Sequence, residues 1–214
     1  MFPYHGKLGT LASCLKNIHS NFVVNIRKEK AMPLKPWKLI DTRIEKQFPI
    51  FDLRVDRALS PRTAREHDFF ILESADWVNV IPLTPAKEVV LIRQYRHGLR
   101  EITLEIPGGI LEPGDSPAAA ARRELNEETG YTGGTWSDLD YVYPNPAFLN
   151  NRCYTFLAEN VVLKRGQEQD DKEDIEITLE PLKQIPRLIK EGAIRHSLIV
   201  AAFYRLFVEH PSTY

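Results

Sequence analysis

The stretch from Pro107 to Tyr131 constrains this chain more than any other, because a glycine-rich turn runs straight into a helix with both ends marked. Ser116 is a good N-cap, Pro117 suits the first helical position, and Gly130 suits the left-handed position past the last turn. The spacing therefore predicts a helix over 116–129. Four alanines, Ala118 to Ala121, let it pack closely on a sheet. Glu124, Glu127 and Glu128 fall at i, i+3 and i+4, so their carboxylates share an arc of about 100° on one face. Three like charges that close need a cation among them. A solvated acidic face neutralised by Arg122 and Arg123 would satisfy that need without any chemistry. Two features argue against so simple a reading. The alanine-rich face shows that the helix is packed, and the turn Pro107-Gly108-Gly109-Ile110-Leu111-Glu112-Pro113-Gly114-Asp115 lets backbone come close to a ligand. Carboxylates with a backbone carbonyl are hard oxygen donors of the kind Mg²⁺ prefers.

Strand-like segments flank the helix. Trp37–Ile40, Ile50–Val55, Phe69–Leu72, Trp77–Ile81 and Val89–Ile92 precede it, with a short alternating run from Ile102 to Ile106. Tyr141–Tyr143, Tyr154–Leu157 and Ile175–Leu179 follow. Leu182 to Lys190 reads as a short helix and Ile194 to Val208 as a longer one, with Leu198, Ala201, Ala202 and Phe203 on its apolar face. Strands, a helix, strands and terminal helices predict an α+β sandwich with helices flanking a mixed sheet. Three parts are expected: an extension at 1–31, N-terminal strands at 32–75, and the main domain at 76–214. The extension carries Leu8, Leu11, Leu15, Ile18 and Phe22 at roughly helical spacing among basic residues, but lacks the features of a secretory signal.

Composition excludes several classes. With 28 Lys and Arg against 29 Asp and Glu, the net charge of −1 argues against broad electrostatic binding of nucleic acid. No apolar run is long enough to cross a bilayer, so no membrane partner is expected. Cys14 and Cys153 are too few and too far apart for a disulfide framework, which fits two reduced thiols in the cytoplasm.

The spacing within 109–131 resembles the signature of the Nudix hydrolases. Gly109, Arg123, Glu124, Leu125, Glu127, Glu128, Gly130 and Tyr131 stand at its fixed positions. Asp115 departs from it, standing where the signature has glutamate and one methylene shorter. The signature covers some twenty residues, and the strand pattern from Trp77 to Leu206 also looks like the family's domain. The resemblance implies a Nudix α/β/α sandwich with a small N-terminal antiparallel sheet. It implies a Mg²⁺-dependent enzyme, Mn²⁺ being a substitute, with Glu124 and Glu128 as principal metal ligands. Glu127 would be a further ligand and the Gly108 carbonyl would complete the set. Arg123 would orient a box glutamate through a bidentate fork. In relatives that cleave ADP-ribose the general base lies on a loop after the box. Its counterpart here runs from Gln167 to Asp174, with Glu173 the first choice of base and Asp171 the second.

Three features point to ADP-ribose among nucleoside-diphosphate compounds. Pro146 lies fifteen positions after Tyr131, near where ADP-ribose pyrophosphatases of the family carry a proline. Arg96, and less closely Arg93, ends the strand where such enzymes hold a phosphate. The strands from Trp37 to Leu72 resemble the extra sheet that in this subgroup builds a homodimer and contributes to the partner's base pocket. Arg152, with Asn145, Asn150 and Asn151, is a further substrate-binding candidate. His97 and His196 receive no role. The alternatives are a pyrophosphatase of GDP-mannose or UDP-glucose, a Nudix-fold sensor that binds ADP-ribose-like molecules without cutting them, and an RNA 5′-pyrophosphate hydrolase, which the charge disfavours.

Overall fold

The computed structural model describes residues 33–164, 166 and 174–211. The compact unit Trp37–Tyr214 contains every strand and helix that follows. Residues 33–36, outside it, are exposed and have no regular structure. Glu173 and Asp171 lie outside the described residues, as do 1–32.

Strands β1 (Lys38–Gln47), β2 (Asp52–Leu59) and β3 (Glu66–Glu73) form an antiparallel sheet in the order β1-β2-β3. It continues into β4 (Trp77–Leu83), β5 (Glu88–Arg96), β6 (Glu101–Glu105) and β7 (Gly108–Ile110). Helix α1 (Pro117–Thr129) leads to β8 (Tyr131–Thr132), β9 (Thr135–Val142), β10 (Cys153–Glu159), β11 (Val162–Leu163) and β12 (Ile175–Pro181). A 3₁₀ turn at Leu182–Gln184 precedes α2 (Ile185–Lys190) and α3 (Ser197–Glu209).

The main sheet runs β12-β5-β4-β10-β9, with β6 on β5 and β7 on β4. Strands β4 and β10 are parallel and the other pairs antiparallel, so the sheet is mixed as expected. Side chains alternate across it. Val78, Val80, Val90, Phe156 and Ala158 pack against Ala120, Ala121 and Leu125 of α1. Ile81, Leu83, Leu91 and Leu157 pack against Phe203 and Leu206 of α3 on the other face. This is an α/β/α sandwich. Among the described residues no helix is long and apolar enough to cross a membrane.

Helix α1 ends as its sequence predicts. Ser116 Oγ accepts the Ala119 N–H, and Gly130 adopts φ 71° while its N–H bonds the Asn126 carbonyl. Helix α3 starts later than the apolar pattern suggested, at Ser197, because the His196 side chain caps it by accepting the Leu198 N–H at Nδ1. Strand β9 starts at Thr135 rather than Tyr141, and β7, three residues of the glycine turn, was not expected as a strand.

Candidate active site

Strand β7 lies under α1, and its two glycines open space on opposite sides. A Cβ on Gly109 would collide with the Glu124 carboxylate, coming within 2.7 Å of Oε2 and closer still to the other carboxyl atoms. Only hydrogen at this position lets Glu124 rest on the strand. A Cβ on Gly108 would instead strike the Val78 carbonyl oxygen and lie 2.8 Å from Asn79 Oδ1. Asn79 alternates with Val78 and Val80, which face α1, so it belongs to the α3 side. The Gly108 N–H donates to Glu128 Oε2 at 2.9 Å, and Glu128 is 3% exposed.

Arg123 sits among the acids. Its Nη1–H donates to Glu124 Oε1 at 2.9 Å and Glu127 Oε2 at 3.2 Å, and its Nη2–H to the Ile110 carbonyl at 3.2 Å. Asp115 lies 3.5 Å from Nη2 and Glu112 3.8 Å from Nη1. Burial works against the Arg123 charge, but Glu124, Glu127 and Glu112 outweigh it and raise its pKa. Arg123 thus bridges several acids singly rather than gripping one as a fork. Asp115, despite its shorter side chain, still reaches it.

The bidentate fork occurs at Arg96. Its Nε–H and Nη2–H donate to the two Glu105 oxygens at 2.8 and 2.7 Å, and the Thr103 hydroxyl adds 2.6 Å. Glu105 is 2% exposed. Burial resists its ionisation, but the Arg96 fork and the Thr103 hydroxyl outweigh that and hold the carboxyl below its ordinary 4.5. Arg96 and Glu105 line a cavity of about 310 Å³ with Trp77, Asn79, Gly108 and His196. Cys153 also lines it, and burial with a contribution from Asp76 pushes its thiol up to about 12, too high for a nucleophile.

Two substrate candidates are held elsewhere. Arg93 projects from β5 to pair with Glu176 across β12 at 3.1 Å, because the two residues stand in register. Arg152 stacks 4.8 Å over Tyr141 and donates to the Tyr154 hydroxyl at 3.3 Å, since it leads into β10 beside β9. Glu105, Asn79 and His196 were not foreseen. Glu105 occupies a polar position in the short alternating run 102–106, and nothing local to that run marks its partner.

Among the described residues, no three His, Cys, Asp or Glu side chains converge into a ready metal cage. The donor set still fits Mg²⁺, which takes one or two protein carboxylates and fills its shell with water and substrate phosphate. Glu124 and Glu128 are hard donors anchored to one strand, with Glu127 alongside at 41% exposure.

An acidic helix face seated on a glycine strand within an α/β/α sandwich defines a class, and the comparisons agree. The NUDIX domain family matches residues 74–203, and the chain belongs to that family. An ADP-ribose pyrophosphatase of Bacillus subtilis (strain 168) is 34% identical over 118 residues, 55% of this chain and 64% of its own length. A GDP-mannose pyrophosphatase of Escherichia coli O9:H4 (strain HS) is 35% identical over 136 residues, 59% of this chain and 70% of its own length. The match to the first relative thus spans a little under two thirds of that protein. A crystal structure of an ADP compounds hydrolase shares the fold, with a TM-score of 0.75 at 18% identity, covering 85% of this chain and 98% of its own.

Proposed function

We propose that this protein hydrolyses the pyrophosphate bond of ADP-ribose, giving AMP and ribose 5-phosphate, with Mg²⁺ or in its place Mn²⁺. The observation that carries the reading is the seating of Glu124 and Glu128 on Gly109 and Gly108, which presents two carboxylates at one backbone strand. Glu124 and Glu128 would hold a metal there, which would supply positive charge against the phosphoryl oxygens and favour ionisation of water at neutral pH.

The chain's own groups do the rest. Glu128 is oriented by the Gly108 N–H, which donates to its Oε2. The Gly108 carbonyl completes the protein's donors. Arg123 holds Glu124 and Glu127 in place and limits their mutual repulsion. Arg96, oriented by Glu105, meets a phosphate oxygen. Glu173 accepts a proton from the attacking water, with Asp171 the alternative. A new bond forms from that water oxygen to one phosphorus, and the bridging oxygen departs with the other. Arg93 and Arg152 are assigned at most outlying contacts with substrate.

The second reading is a GDP-mannose pyrophosphatase, supported by a relative of nearly equal identity. We further propose a homodimer through the N-terminal sheet, a subdomain of residues 32–75, where Trp37, Leu39, Ile40, Ile44 and Phe70 are 44–62% exposed. Sedimentation of Ile44→Glu would give a monomer, and an unchanged dimer would refute that interface. A cytoplasmic setting is proposed as well, which two widely spaced cysteines fit.

The test is a panel of ADP-ribose, GDP-mannose and UDP-glucose, with and without Mg²⁺. AMP released from ADP-ribose in preference to the others, and only with metal, is the expected result. Preferential cleavage of GDP-mannose would replace the substrate. No cleavage, with tight ADP-ribose binding, would make the protein a sensor. Glu128→Gln should lower turnover by orders of magnitude with the fold intact, and unchanged turnover would sink the metal assignment.

A further inference from the structure

The loop between β7 and α1 is shaped by its own sequence. Glu112-Pro113-Gly114-Asp115 closes as a β-turn, with the Asp115 N–H donating to the Glu112 carbonyl at 3.0 Å. Proline at the second position and glycine at the third, with φ 95°, follow the pattern of a type II turn. Such a turn brings its first and last residues within about 7 Å of each other. Here those two residues are acids, and both reach one arginine. Asp115 Oδ2 lies 3.5 Å from Arg123 Nη2, and Glu112 Oε1 lies 3.8 Å from Nη1. The turn therefore straddles the guanidinium, with one carboxylate toward each terminal nitrogen.

The Asp115 contact is at the outer limit of a hydrogen bond, and its length has a cause. Glutamate would extend the carboxylate by a further C–C bond of about 1.5 Å, enough to bring it to full bonding distance. Glu112 occupies one of the five free positions that the signature leaves between Gly109 and Asp115. Its side chain is 67% exposed against 29% for Asp115, so it meets Arg123 from the solvent side. Even so, Glu112 ranks with Glu124 and Glu127 among the charges that raise the Arg123 pKa. Arg123 needs such an anchor, because its Nη1–H is shared between Glu124 at 2.9 Å and Glu127 at 3.2 Å. An arginine held by those two alone would move whenever they do. The Ile110 carbonyl and the two acids of the turn hold it from the side of β7.

We propose that the turn 112–115 is a two-armed clamp on Arg123, in which Glu112 makes up for the methylene that Asp115 lacks. Glu112 is then a positioning residue, acting through Arg123 on Glu124 and Glu127. The assignment rests on the reading of those glutamates as metal-binding groups of a pyrophosphatase.

The test is whether the two arms substitute for each other. Glu112→Gln keeps the shape and removes the charge, and it is compared in the wild type and in Asp115→Glu, where the longer side chain reaches Arg123 unaided. Mn²⁺ binding is followed by electron paramagnetic resonance without substrate, and folding by urea titration. In the wild-type background Glu112→Gln is expected to lower the Mn²⁺ affinity and the folding equilibrium each by about 2- to 5-fold, the upper range for an exposed ion pair. In the Asp115→Glu background the same change is expected to cost under about 1.5-fold, because the arms are coupled. Equal losses in both backgrounds would make Glu112 a charge acting at a distance, and no loss in either would make it a solvated surface acid. Both results would overturn the clamp. Mn²⁺ binding without hydrolysis of any nucleoside-diphosphate compound would remove the pyrophosphatase reading, while the two ratios still decide the clamp. A wild type that binds no Mn²⁺ would remove the metal reading and leave the urea ratio to decide.

Discussion

Replacing Arg96 by methionine isolates what keeps the Glu105 carboxylate ionised inside the protein. Methionine keeps apolar bulk and supplies no N–H. Glu105, 2% exposed, would lose the bonds of 2.8 and 2.7 Å and keep only the Thr103 hydroxyl. It then has two responses. Remaining charged without its partner costs about 3–5 kcal/mol. Taking up a proton costs about 1.36 kcal/mol for each pH unit above its ordinary 4.5, or about 3.4 kcal/mol at pH 7 and about 0.7 kcal/mol at pH 5. The cheaper response sets the loss. Arg96→Met should therefore lose about 3 kcal/mol at pH 7 and under about 1 kcal/mol at pH 5. The signs follow from proton counts. The folded variant holds a proton that the unfolded chain releases, so its stability falls as pH rises, by about 1.36 kcal/mol per unit. In the wild type the folded pKa is depressed. The contribution of Glu105 is thus present above 4.5 and lost only as pH falls through the folded value. Urea unfolding followed by tryptophan fluorescence at pH 5, 6 and 7 measures the difference between variant and wild type. A second variant, Arg96→Met with Glu105→Gln, removes the charge and should flatten the pH dependence. An equal loss at pH 5 and pH 7, or a double variant that keeps the slope, would refute the reasoning.

The adjacent glycines of β7 should respond differently to alanine. Gly109→Ala meets only the movable end of Glu124, so stability should change by under about 1 kcal/mol while turnover falls at least about tenfold through the displaced carboxylate. Gly108→Ala meets the Val78 backbone and should lose about 1–3 kcal/mol, read by urea unfolding; identical behaviour of the two variants would contradict the two-sided strand. Cys153, with its thiol pushed up to about 12, should resist iodoacetamide at pH 8 in a Cys14→Ser background until the protein is unfolded, and prompt labelling of the folded protein would count against that burial. Glu173→Gln should cut turnover with less effect on metal binding, and a silent substitution would move the base role to Asp171 or elsewhere.

The sequence was most legible where local rules and tertiary structure agree. The caps of α1 are local chemistry, and Ser116 and Gly130 behave accordingly. The apolar runs at 77–81 and 89–92 became central strands because burial on both faces leaves few other options. The i, i+3, i+4 spacing likewise put Glu124 and Glu127 beside Arg123. What stayed hidden depended on pairing between distant segments. Glu105 is one polar residue of a short alternating run, and its pairing comes from Arg96, nine residues earlier on β5, reaching across the β5–β6 hairpin. His196 and Asn79 are far apart in sequence and line one cavity because α3 covers the face opposite α1. Arg93 matched a motif position, but its register with Glu176 gave it a different neighbour.

Strand β7 is side-chain-free at Gly108 and Gly109, with Glu124 resting on one side and Asn79 against the other. The partition between the chamber of the carboxylates and the chamber of the cavity is thus a single backbone thick. Residues on the α3 side can be exchanged without rebuilding the α1 side. The same thinness carries a penalty, since any ligand that pushes β7 from one chamber moves the wall of the other.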